Sequence, residues 1–100
     1  MKPSPIIKYG KHFEQLVRGL CSKYSELIFD PIWAYEDLWQ EAEIIVFETE
    51  IKEKARLSKM ARIGQEKYLY ISIKYHFIDI QERTNNRKKA EEGFSSEHGV

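Results

Sequence analysis

The sequence predicts an all-α fold, a small bundle of three to four helices. Three observations lead there. All three prolines (Pro3, Pro5 and Pro31) lie in the first third of the 100 residues. Beyond Pro31 the only glycines are Gly64, Gly93 and Gly99, and no Asn-Gly or Asp-Gly pair marks a hairpin. Apolar residues recur at spacings of three and four in three separate stretches, the signature of helices that share a core. One hundred residues, 42% of them hydrophobic, are enough for one domain with a small core.

The first helix is expected over Ile7 to Phe29. Phe13, Leu16, Val17, Leu20, Tyr24, Leu27 and Ile28 make its stripe. Asp30-Pro31 ends it, because proline disfavours helix in the residue before it.

The second helix is expected over Ala34 to Lys54. Glu36 and Asp37 place negative charge at its positive end. Leu38, Ala42 and Ile45 fall at i, i+4 and i+7 and form a face for the core. Ile44 and Phe47 fall on a second face with Asp37, Gln40 and Glu41. Carboxylates around apolar side chains suit either a solvated face or a docking surface.

Glu53 to Gln65 is charged and weakly patterned, a mobile connection or a short helix. The third helix is expected over Glu66 to Arg83. Its core face is Leu69, Ile73, Phe77 (or His76) and Ile80. Tyr68, Ile71, Tyr75 and Ile78 make a second stripe, with Lys74 beside it. Arg83, Asn85, Asn86, Arg87, Lys88 and Lys89 follow. Aromatic faces stack bases and cations neutralise phosphates, so this order suits single-stranded nucleic acid. Core-edge tyrosines and cations placed for the helix dipole are the plainer account. The domain is drawn over residues 1–89, with 90–100 as a polar, disordered tail.

Composition excludes several classes. Sixteen basic and sixteen acidic residues cancel, so no global basic excess marks a nucleic-acid binder. A lone cysteine, Cys21, rules out an internal disulfide and a cysteine zinc cluster. The longest wholly apolar run is Ile44 to Phe47, and MKPSPIIKYG lacks the apolar core of a signal peptide. A soluble, cytoplasmic protein without membrane contact is expected. His12, His76 and His98 lie in three segments, and no HExxH motif, phosphate loop or nucleophile motif is present. His76 and Asp79 at i, i+3 are far short of a metal site. No enzyme activity, cofactor or metal is expected.

In this order, the stretches resemble region 2 of the bacterial sigma-70 family of transcription initiation factors. Asp37-Leu38-Trp39-Gln40-Glu41, with Phe47 further on, resembles the family's D-L-x-Q-E helix. Tyr68-Leu69-Tyr70-Ile71-Ser72-Ile73-Lys74 through Ile78-Asp79 to Arg83 resembles its promoter-facing helix. The likeness covers about residues 7 to 89. It implies that Asp37, Gln40, Glu41, Ile44 and Phe47, rimmed by Glu43 and Glu48, dock on the β′ clamp helices of core RNA polymerase. It also implies that Tyr68, Ile71, Lys74 and Tyr75 hold the non-template strand of the promoter −10 element. Arg83, Asn85, Asn86, Arg87 and Lys88 would track the adjoining DNA.

The housekeeping factors carry paired tryptophans where this chain has Ile71 and Ser72, so the likeness does not extend to unaided melting. No segment resembles region 4. The expectation is either a domain cut from a longer protein, or a minimal factor of the kind some bacteriophages use, with a second protein in place of region 4. The alternative is a module or inhibitor that occupies the sigma site on polymerase without recognising DNA. A duplex-reading helix-turn-helix is disfavoured, because the third helix is too apolar.

Overall fold

The structure, a computed structural model, describes the backbone of residues 4–98 and the side chains of residues 4–87. The expectations for Lys88, Lys89 and the polar segment 90–100 lie outside the described side chains. Among the described residues the elements are helical: a 3-10 turn at Ile7–Tyr9, α1 (Lys11–Leu27), α2 (Tyr35–Lys52), α3 (Lys54–Ser58) and α4 (Arg62–His98). None of the helices is long and apolar enough to cross a membrane.

The first helix starts at Lys11 rather than Ile7. Gly10 breaks the chain there with φ +102° and ψ 170°, a backbone region that residues with a Cβ avoid. Its N–H closes the preceding turn on Ile7 O at 3.0 Å. That turn drives Ile6, fully buried, into the core beside α1. Along α1 the buried side chains are Phe13, Val17, Leu20, Cys21 and Tyr24, and Ile28 follows at its end. Leu16 and Leu27, expected in this stripe, are more than a third exposed. Each precedes a buried neighbour by one residue, which turns it about 100° off the packed line.

The α1–α2 connection is tied by its own polar groups. Ile32 N–H donates to Asp30 Oδ1 at 3.1 Å, and Trp33 N–H to Asp30 O at 3.0 Å. These two bonds turn the chain around Pro31. At the start of α2, Ala34 has no side-chain acceptor to offer. Only the reciprocal half of a capping box forms, with Ala34 N–H donating to Asp37 Oδ2 at 3.1 Å. Leu38, Ala42 and Val46 are the buried line of α2, and Ile45 is only partly buried against it.

The stretch after α2 is the short helix of the two readings, with Leu57 buried beneath it. Gln65 Nε2 donates to Leu57 O at 2.7 Å and so pins the end of α3 to the first turn of α4. α4 is longer than expected at both ends. No proline interrupts it, and Gly64 is accommodated within its first turn. Leu69, Ile73, Phe77 and Ile80 form its core line, so Phe77 rather than His76 faces inward. Phe77 meets Tyr24 edge-on, with ring centroids 5.8 Å apart. α1, α2 and α4 thus surround one hydrophobic core.

Candidate functional site

The 3.6-residue repeat that buries Leu38, Ala42 and Val46 turns Gln40, Ile44 and Phe47 to the opposite side of α2. Ile44 is 48% and Phe47 59% exposed. Ile51 continues the line at i+7 from Ile44 and is 63% exposed. It was not among the expected residues, although the same spacing pointed to it. This apolar ridge borders an open groove of about 710 Å³. Gln40, Glu43, Ile44, Phe47 and Glu48 line one wall, and Ser4, Pro5 and Lys8 of the N-terminal segment line the other. The segment is held there by Glu50, which pairs with Lys8 and accepts from Tyr9 Oη at 3.0 Å.

Two of the seven residues expected on this face stand apart from the groove. Asp37 is exposed, but its carboxylate accepts from Ala34 N–H and holds the helix start. Glu41 lies at the seam with α4, where its Oε2 is 3.7 Å from His76 Nε2. That imidazole nitrogen is buried and has no hydrogen-bond partner. The pair lines a mixed-charge cleft of about 460 Å³ with Asp30, Trp33, Asp79, Arg83 and Arg87.

On α4 the expected strand-binding residues divide. Tyr75 is 67% and Ile71 39% exposed. Tyr68 is half-buried, with the Arg56 guanidinium of α3 over its ring at 5.8 Å. Lys74 is half-buried. Ile78 packs against the core and leaves the outer stripe. Arg83 pairs with Asp79 at 3.2 Å, one helical turn away. Asn85 is engaged at the end of α1: its Oδ1 accepts from Phe29 N–H at 2.8 Å, and its Nδ2 donates to Leu27 O at 3.0 Å. Asn86 and Arg87 are exposed.

The neutral total conceals a segregation of charge. Residues 26–50 hold eight Asp and Glu and no Lys or Arg. Residues 51–68 hold six Lys and Arg against two Glu. The acidic block is α2 and its approach, and the basic block is the α3–α4 corner. A charge count by segment would have found Lys52, Lys54, Arg56, Lys59 and Lys67. The lone thiol offers no nucleophile, since burial pushes Cys21 up to about 12.

No family model, curated protein or solved structure matches the chain.

Proposed function

We propose that this chain is a transcription initiation factor of the sigma region 2 type. It binds the β′ clamp helices of core RNA polymerase through the outer face of α2. It holds the non-template strand of a −10 promoter element along α4.

The outer face of α2 carries this reading. Gln40, Ile44 and Phe47 stand on a helix already anchored by Leu38, Ala42 and Val46, so the fold does not need them inside. An apolar ridge flanked by Glu43 and Glu48 suits a partner helix bearing arginines. The ridge provides area to desolvate, and the carboxylates accept charge-assisted hydrogen bonds. The exposed Tyr75 and Ile71 add an aromatic and apolar strip on α4 where bases can rest.

The test is co-purification with bacterial core polymerase, followed by transcription from a premelted template. Gln40→Ala with Phe47→Ala should abolish capture by polymerase and leave the fold intact. Undiminished capture by the double variant removes the α2 assignment.

A second reading is favoured by Arg83 and Asn85. Both are engaged within the domain, by Asp79 and by the end of α1. On that reading the chain occupies the sigma site on polymerase and does not recognise DNA. Tyr75→Ala separates the two. Loss of promoter opening with polymerase binding retained supports the initiation factor, and an unchanged open complex supports the occupying module.

A further inference from the structure

We infer that the α3–α4 corner is a binding site for single-stranded nucleic acid, with Lys54, Lys59 and Lys67 on the phosphates and the Tyr68–Ile71 shelf under the bases. The inference rests on the strand-holding half of the reading above. It moves the phosphate-binding cations to the opposite end of the bundle from Arg83 and Arg87.

Charge is the first support. In a chain with no net charge, residues 51–68 carry six cations and two carboxylates. Arg56 has Glu53 at 3.7 Å, and Arg62 Nη2 donates to Lys8 O at 2.8 Å. Those two help to build the corner. Among the described residues, Lys52, Lys54, Lys59 and Lys67 stand in no ion pair, and all four are exposed. Cations that neutralise nothing within the fold are available to a polyanion.

Shape is the second support. A shallow hollow of about 360 Å³ lies at the same corner, lined by Met60, Ala61, Gly64, Lys67, Tyr68 and Ile71. Its floor is apolar and partly aromatic, and a lysine stands at its edge. The Arg56 guanidinium over Tyr68 holds the ring from the α3 side. Such a hollow takes flat apolar faces. Duplex DNA keeps those faces stacked inside, and only an unpaired strand presents them. An acidic protein would satisfy the lysines and leave the shelf unused. The two features together therefore favour a single strand.

The experiment measures binding of a labelled oligodeoxythymidine to the whole chain by fluorescence anisotropy over a salt series. The wild type should bind the single strand more tightly than a duplex of the same length. The triple variant Lys54→Gln/Lys59→Gln/Lys67→Gln should reduce the slope of log Kd against log salt by about two, at about 0.7 for each single-strand phosphate that is no longer neutralised. Lys11→Gln/Lys23→Gln on α1 should leave the slope unchanged. Circular dichroism confirms that each variant is folded.

If the slope falls only in Arg83→Gln/Arg87→Gln, this inference is overturned and the strand-holding reading survives. Equal affinity for duplex and single strand overturns the role of the shelf and with it the inference. Failure of the wild type to bind the oligonucleotide overturns both the inference and the strand-holding half of the reading. The polymerase half then stands or falls on its own capture experiment.

Discussion

Tyr9 ties the N-terminal turn to α2, and the tie depends on its proton. Its hydroxyl donates to Glu50 Oε2 at 3.0 Å. Burial first, and then that hydrogen bond and the carboxylate's charge, raise the phenol from 10.0 to about 12. Cys21 is raised from 9.0 to about 12, chiefly by burial. In both groups the folded state favours the protonated form. Their contribution to stability is therefore complete below the unfolded value and is lost as pH rises through the folded one. Denaturant midpoints should start to fall above pH 9 and continue falling towards pH 12. Tyr9→Phe should flatten the part of that fall between 10 and 12. It should also lose about 1 kcal/mol at neutral pH for the missing hydrogen bond. Superimposable pH curves for the two proteins would refute this. Asn85→Ala should also cost about 1 kcal/mol, because it removes two bonds at the end of α1. A thermal melt of that variant reports the loss. The sequence concealed this role. Asn85 followed an aromatic helix in a basic stretch, and its two partners lie 56 and 58 residues away in the chain.

The buried line of α4 is the one its apolar spacing gave, while α1 leaves Leu16 and Leu27 outside and α2 buries Val46 in place of Ile45, because one face of each helix meets the core and the rest meets water. For α2 this separates two kinds of substitution. Leu38→Ala should destabilise the domain by about 2–5 kcal/mol, as for a fully buried aliphatic residue. Gln40→Ala lies on the far side and should shift stability by less than about 0.5 kcal/mol. Its effect should appear in capture of polymerase. Comparable destabilisation by both would mean that the outer face is packed after all. The limits of the spacing argument are also instructive. Ile45 and Val46 are neighbours about 100° apart, and only the direction from which α1 and α4 approach decided for Val46. The spacing put the start of α1 at Ile7, and Gly10, which adopts positive φ, moves it to Lys11. The length of α4 was not legible, since Thr84-Asn85-Asn86 is a plausible helix end by composition. Asn85 spends its amide on the neighbouring helix instead.

At the scale of the molecule, the two proposed surfaces carry opposite charge, one along the outer face of α2 and the other from the end of α2 through α3 into the start of α4. The acidic α2 face runs from Gln40 towards Ile51, and the basic corner begins at Lys52. Gln40 and Lys52 are twelve residues apart, about 18 Å along the helix at 1.5 Å per residue. Sites separated by that distance with no shared partner contribute independently. Gln40→Ala should therefore leave oligonucleotide affinity unchanged, and the triple lysine variant should leave capture of polymerase unchanged. Combining all four substitutions should reproduce, in each assay, the loss seen with the one change that affects it, to within about 0.5 kcal/mol. Independence also means that polymerase and strand can be held at once, as an initiation factor requires. A module that only occupied the sigma site would have no need to keep the corner clear. Mixing the chain with polymerase and labelled oligonucleotide should therefore give one complex containing all three. If polymerase displaces the oligonucleotide, the two surfaces overlap in use, and the occupying module becomes the better account of the same fold.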